Sequence, residues 1–176
     1  MNIRIEPGKY GQESQILCLY KKVANAHNGL IRLRSEIKRE YILEFLNNSI
    51  ENGIILVGFS DDQIVGEIHA YTPDLFAFHH ILTDLTIVVD PDFQRKGIGR
   101  KLFEEFLNMV RREYNHIVRV ELYVREHSKA VVKFYESLGF INEGRQENKI
   151  ITTDGLFETP LHMAWFNPDY RAIPKG

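Results

Sequence analysis

The chain has 176 residues and a mass of 20.6 kDa, with 44% hydrophobic and 26% charged residues, which fits one soluble globular domain with room for a sizeable core. A formal net charge of -2 sets up no basic field for nucleic acid, and no apolar run reaches the about 18 residues that a membrane span needs. The single cysteine, Cys18, excludes an intrachain disulfide, and Met1 to Pro7 holds no apolar leader core, so a cytoplasmic location is expected.

Ile3 and Ile5 alternate with polar residues, a short strand that Pro7-Gly8 ends. From Gln12 the period changes. Ile16, Leu19, Tyr20 and Val23 make a helical stripe, with Cys18 expected as a packed thiol among apolar neighbours. Asn28-Gly29 signals a turn. Ser35 is the expected N-cap of a second helix, with Ile37, Tyr41, Phe45 and Leu46 inward and an end near Asn52-Gly53. Ile54 to Phe59 and Ile64 to Tyr71 read as hairpin strands around Asp61-Asp62. Residues 74–80 read as a loop or the start of the next strand, Ile81 to Val89.

Further on, Val118, Val120, Leu122 and Val124 take one face of a strand and Arg119, Glu121 and Tyr123 the other. Ser128 is placed to cap a short helix with Val131, Phe134, Tyr135 and Leu138 inward, and Gly139 to be its left-handed C-terminal residue. Phe140 to Ile151 and Leu156 to Phe166 flank Thr153-Asp154-Gly155, a hairpin signal. Residues 167–176 read as an irregular tail, which leaves residues 1–166 as one domain. The order β-α-α-β-β-β-α-β-α-β-β predicts a mixed sheet with helices on its faces. At its centre is a parallel, right-handed βαβ unit.

That unit carries the most telling stretch. Leu85 to Val89 holds four β-branched residues in five, and Asp90-Pro91 breaks the strand. A basic, glycine-bearing turn, Gln94-Arg95-Lys96-Gly97-Ile98-Gly99-Arg100, leads into a helix with Ile98, Leu102, Phe106 and Val110 four apart. Strand, glycine turn and helix aim free backbone N–H groups and a positive helix end at an anion. The turn lacks the hydroxyl that a P-loop needs after its lysine, and Leu102 stands where a dinucleotide fingerprint needs a small residue. The spacing Gln94-x-x-Gly97-x-Gly99 remains. On spacing alone, a phosphate site and a tightly packed helix start stand level.

The stretch from Gln94 to Arg100, after Val88-Val89-Asp90-Pro91, resembles the acetyl-CoA loop of the GCN5-related N-acetyltransferases, the GNAT superfamily. Ser128-Lys129-Ala130-Val131-Val132-Lys133-Phe134-Tyr135-Glu136-Ser137-Leu138-Gly139-Phe140 is similar to the same family's second segment. The coarse element order agrees over residues 3–166. The C-terminal hairpin resembles the amino-acid and small-amine branch more loosely. The resemblance implies an α/β (α+β) fold: a mixed, mostly antiparallel GNAT-type sheet of about seven strands, a central parallel βαβ unit and about four helices. It implies an acyltransferase that moves an acetyl group from acetyl-CoA to a primary amine of a small molecule, amino acid or peptide, by direct attack in a ternary complex. The alternative is a GNAT-fold module that binds or senses CoA without efficient transfer. Two departures bear on this: Ser128 stands where many members have Asn, and Val131 where they have Ala.

The implied roles follow residue by residue. Gln94, Arg95, Lys96, Gly97, Ile98, Gly99 and Arg100 would clamp the CoA pyrophosphate. Ile87, Val88 and Val89 would pair with pantetheine where the strand splays from the next one near Val88 and Val89, with the Val89 N–H on the thioester carbonyl. Tyr135 would protonate the leaving sulfur, and Ser128 would touch CoA or only cap its helix. For the base, Asp84, Glu67, His69 and Tyr71 form one set and Glu121 is a further option, acting through water; a substrate amine could also arrive deprotonated. Arg32 and Arg34 would suit a carboxylate in the acceptor. His79-His80 point to opposite faces of a strand, so no metal is expected. The expected partners are acetyl-CoA and an amine acceptor, with no nucleic acid and no membrane; a homodimer stays open.

Overall fold

The computed structural model describes residues 3–26 and 30–171, so the turn expected at Asn28-Gly29 lies outside them. Among the described residues, nine strands and four α-helices run in the order β1 (Arg4–Pro7), α1 (Glu13–Ala24), α2 (Arg39–Asn52), β2 (Gly53–Ser60), β3 (Gln63–Tyr71), β4 (Ile81–Val89), α3 (Ile98–Glu113), β5 (Arg119–Arg125), α4 (Lys129–Ser137), β6 (Ile141–Arg145), β7 (Ile150–Ile151), β8 (Phe157–Glu158) and β9 (Pro160–Phe166). Seven strands make a mixed sheet whose one parallel pair is β4–β5, joined through α3, and β7 and β8 form a separate small ladder. No helix among the described residues is long and apolar enough to cross a membrane.

Two compact units share the chain: residues 1–72 with 86–109, and residues 73–85 with 110–176. In the first unit, β2 pairs antiparallel with β1 and with β3, and a bulge at Gly58/Phe59 shifts the register. β2 and β3 are continuous apolar runs because helices cover both of their faces. Ile16, Leu19 and Tyr20 of α1 and Ile42, Phe45 and Leu46 of α2 pack on Ile55, Val57 and Val88. On the other face, α3 comes so near that a Cβ on Gly66 would lie 2.7 Å from Leu102 Cδ1 and 3.3 Å from Ile98 Cγ2. Only a residue without a side chain leaves the start of α3 that close to the strands.

The helix expected from Ser35 starts later. Arg34–Glu36 form a 3₁₀ turn closed by the Glu36 carboxylate, which accepts the Leu33 N–H at 2.8 Å, and Lys38 takes the N-cap place without a side-chain bond. Cys18 is exposed, a correction to the packed thiol. It sits one position off the α1 stripe and lines an open cleft with Gln15, Lys22 and Asp61.

In the second unit, β5 and β9 pair antiparallel from Arg119↔Phe166 to Arg125↔Pro160, and β6 adds to the free side of β9. Residues 74–80 hold a short 3₁₀ turn, Phe76–Phe78. The C-terminal hairpin is broken into two ladders. Asn148 has φ 56 and gives its N–H to Thr159 Oγ1, and Pro160 has no N–H to continue a ladder inward. Residues 167–171 form neither helix nor strand and are tied down: Asn167 Nδ2 donates to the Ile117 carbonyl at 3.0 Å, and Arg111 pairs with Asp169 at 2.5 Å.

Gly66→Val is expected to lower the unfolding free energy by about 1–3 kcal/mol, the usual cost of overpacking, in urea titrations of the purified chain. A midpoint equal to that of the wild type would show that α3 does not need this close approach.

Candidate active site

In the first unit, β4 ends at Asp90, which is 1% exposed. Its N–H donates to the Val65 carbonyl at 2.9 Å, and its carboxylate accepts the Asp92 N–H at 2.9 Å. That bond makes Asp90 the N-cap of a 3₁₀ turn, Pro91–Phe93, with proline at the position that lacks a partner for its N–H. After Gln94 the chain takes two left-handed residues, Arg95 at φ 59 and Gly97 at φ 78, and α3 begins. Left-handed residues alternating with ordinary ones swing successive N–H groups toward one side. The first N–H groups of α3 have no partner within the helix. A Cβ on Gly97 would meet nothing within 4 Å, so the space before the turn is open.

The residues expected to form this site come together here. The Gln94 side chain donates to the Val89 carbonyl at 3.3 Å, and a Cβ on Gly99 would lie 3.7 Å from Val89 Cγ2 and 4.0 Å from Ile87 Cδ1. Val88 turns the other way, into the core beneath α1 and α2. Two of the expected cations are committed locally. The Lys96 ammonium donates to the Asp92 carbonyl at 2.9 Å above the Phe93 ring, and Arg100 pairs with Glu104 at 3.5 Å. Open space, N–H groups without helical partners and exposed cations are what a diphosphate needs, so these residues fit the pyrophosphate of CoA.

Glu67 and His69 lie side by side on β3, fully buried. The Tyr20 hydroxyl donates to Glu67 Oε2 at 2.5 Å, and Nδ1 of His69 lies 3.0 Å from Glu67 Oε1. A carboxylate oxygen only accepts, so the His69 proton belongs on Nδ1. The imidazole stacks on Phe45 at 4.0 Å between ring centres. Burial, and after it the Glu67 charge, raises the Tyr20 phenol well above its ordinary range. Alternation along the strand put Glu67, His69 and Tyr71 on one face, but only packing reveals that Tyr20 and His69 occupy the Glu67 carboxylate. Arg32 lies over the Tyr41 ring at 4.0 Å, and Arg34 donates to Asn25 Oδ1 at 2.9 Å.

The second unit holds Asp84, Ser128, Tyr135 and Glu121. β4 pairs in parallel with β5 at Ile81↔Arg119 and Leu82↔Val120. Asp84 then has φ 53, a left-handed residue inside a strand, and is exposed. The break in the pleat therefore falls at Asp84, upstream of the Val88–Val89 position expected for it. Ser128 occupies the N-cap of α4, but its side chain makes no capping bond; its carbonyl accepts from Val131 and Val132. Phe140 donates its N–H to the Tyr135 carbonyl at 3.1 Å, with Gly139 left-handed at φ 93, as expected. The Tyr135 ring is buried between Phe134 and Phe140, and burial pushes its phenol up to about 12. It therefore keeps its proton at neutral pH.

A polar cluster escaped the sequence reading. Arg119 pairs with Glu121 at 3.0 Å and with Glu143, and His162 lies 3.5 Å from Glu121. Alternation placed Arg119 and Glu121 on one face, but no local signal shows that β9 and β6 bring His162 and Glu143 beside them. His79 gives its Nδ1 to the Phe76 carbonyl at 2.6 Å, and among the described residues no group of three or more His, Cys, Asp or Glu could hold a metal ion.

The family model of the acetyltransferase (GNAT) domain matches residues 51–142, which is 92 of the 176 residues. The chain belongs to the GNAT acetyltransferase family. The [ribosomal protein bS18]-alanine N-acetyltransferase of Escherichia coli strain K12 is 37% identical over 84 residues, 46% of this chain and 55% of that enzyme, so the chain spans little more than half the length of this relative. The Salmonella typhimurium LT2 protein of the same name is 37% identical over 115 residues, 63% of this chain and 70% of that one. Among solved structures, yncA from Salmonella typhimurium with its cofactor acetyl-CoA aligns at TM-score 0.83 and 17% identity, covering 100% of this chain and 99% of that one. The Escherichia coli ribosomal-protein-S18-alanine N-acetyltransferase aligns at 0.73 and 23%, covering 99% of each chain. At these identities the structural likeness carries the fold alone.

Tyr20→Phe removes a donor from a buried carboxylate. It is expected to destabilise the chain by about 1–3 kcal/mol in thermal or urea unfolding. A loss under about 0.5 kcal/mol would show that Glu67 does not depend on this bond.

Proposed function

We propose that the chain is an N-acetyltransferase that moves an acetyl group from acetyl-CoA to a primary amine. The turn from Gln94 to Arg100 carries the reading: two left-handed residues, open space and the start of α3, set against Ile87 and Val89. Bound there, acetyl-CoA supplies an activated acyl thioester. The N–H groups of Gly97 to Arg100 hold the pyrophosphate, with Arg95, Lys96 and Arg100 adding charge. Ile87, Val88 and Val89 supply backbone groups to the pantetheine arm, and the Val89 N–H stabilises charge that develops on the carbonyl oxygen.

In this reading the amine nitrogen bonds the acyl carbon and the carbon–sulfur bond breaks. Tyr135 gives the proton that the departing sulfur needs, which suits a phenol pushed up to about 12 and so protonated over the working range. The proton lost by the amine goes through water to Asp84 or Glu67. Asp84 is exposed, whereas Glu67 is buried under Tyr20 and His69, which favours Asp84. Ser128, whose side chain makes no capping bond, is assigned to CoA. The names of the ribosomal-protein relatives make the α-amine of a protein N-terminus the first acceptor to try.

A thiol-release assay with acetyl-CoA and a panel of amines and N-terminal peptides tests the reading. Turnover on at least one acceptor is expected, and tight CoA binding without turnover on any would leave a binding module. Tyr135→Phe is expected to lower kcat about 10²–10⁴-fold, the usual worth of general acid–base catalysis, with little change in CoA affinity. An unchanged kcat would remove Tyr135 from the acid role.

The phenol also gives a pH expectation. Its folded pKa, about 12, lies above the ordinary 10.0, so the folded chain keeps a proton that the unfolded chain loses. Its contribution to stability is complete below about pH 10 and is lost as pH rises toward 12. Ultraviolet titration comparing wild type with Tyr135→Phe should place the step of this tyrosine well above pH 10, and a step near pH 10 would contradict its burial.

A further inference from the structure

Lys22 lies on α1, remote in sequence from the anion turn. Its ammonium sits 2.7 and 2.8 Å from the two oxygens of Asp90 and 2.6 Å from Asp92 Oδ2. Asp90 is the buried cap that ends β4, and Asp92 lies in the 3₁₀ turn it caps. The Lys96 ammonium closes on the Asp92 carbonyl. The four residues thus tie α1 to the backbone that feeds Arg95 and Gly97. The Lys22 ammonium is raised, first by its bond to Asp90, and the Asp92 carboxyl is lowered by Lys22, so both groups are charged at neutral pH.

The charges matter because of where they stand. Asp90 and Asp92 precede by only a few residues a turn that fits a diphosphate. Without a cation between them, two carboxylates would repel that ligand, and the buried one would lose its counter-charge. Lys22 meets both needs with one ammonium. Two residues earlier on the same helix, Tyr20 holds Glu67. One helix therefore holds both the carboxylate on β3 and the start of the anion turn.

We propose that Lys22 is a positioning residue for the pyrophosphate turn: from α1, it neutralises Asp90 and Asp92 and holds the chain in the shape that presents the N–H groups of Gly97 to Arg100 to the diphosphate of CoA. This rests on the reading of the turn as the CoA site. Lys22 touches neither the acyl group nor the amine, so its effect belongs in CoA affinity and not in the chemical step.

The test is CoA titration by calorimetry together with thiol-release kinetics. Lys22→Met is expected to weaken CoA binding about tenfold, or about 1.4 kcal/mol, and to raise the KM for acetyl-CoA alike, with kcat at saturation within about twofold of wild type. Lys22→Arg should restore most of the affinity. Asp92→Asn changes an exposed side chain and serves if Lys22→Met does not fold. It should tighten CoA about two- to threefold, because Lys22 then answers one carboxylate rather than two. Adding Asp92→Asn to Lys22→Met should recover part of the loss. Wild-type affinity in a folded Lys22→Met chain, a fall in kcat without a change in affinity, or weaker binding in Asp92→Asn would overturn the proposal. A wild-type chain that binds no CoA would overturn the reading of the turn itself, a separate failure seen in the first titration.

Discussion

Asp90 is the residue on which the turn before α3 depends. A strand that runs into a helix must release its ladder, turn and restart within a few residues without stranding buried polar groups. Asp90 does this with one side chain and two backbone bonds. Its N–H closes on Val65, its carboxylate caps the turn at Asp92, and its carbonyl takes the Phe93 N–H at 2.8 Å. Because it is buried and charged it needs a cation, and Lys22 supplies one. The left-handed Arg95 and Gly97 follow from a chain already committed in direction.

Close packing sets the other half of the geometry. Gly66 lets the start of α3 press on β3, where a Cβ would lie 2.7 Å from Leu102 Cδ1. The positive end of α3 is therefore set against the end of β4 rather than held away by side chains. The opposite side of the same strands carries the Tyr20–Glu67–His69 network in a well-packed aromatic core. In this unit, then, the start of α3 and the buried Glu67 carboxylate belong to opposite faces of one sheet.

Much of this was legible in the amino-acid sequence because the signals are local. Periods of two and 3.6 found the strands and helices, β4 to the residue, and the glycine spacing marked the turn that leads into α3. Membership of the GNAT family and the mixed seven-strand sheet agree with the resemblance carried by the Gln94–Arg100 and Ser128–Phe140 segments. What escaped depends on neighbours remote in sequence. The late start of α2 rests on Glu36 closing its own turn, and the broken hairpin on Asn148 meeting Thr159. The exposure of Cys18 depends on how α1 is rotated over the sheet. Neither the burial of Glu67 beneath Tyr20 nor the ion pairs of Lys22 leave a mark in any short window, since the partners lie 47 and 68 residues away.

The central claim is that the first turn of α3 and the residues before it bind the diphosphate of CoA through backbone N–H groups. Amide chemical-shift mapping of the isotope-labelled chain during a CoA titration tests it most directly. The account predicts that the amides of Gly97, Ile98 and Gly99 show the largest shifts and saturate with the bound fraction. CoA binding that leaves those three amides unmoved would contradict it.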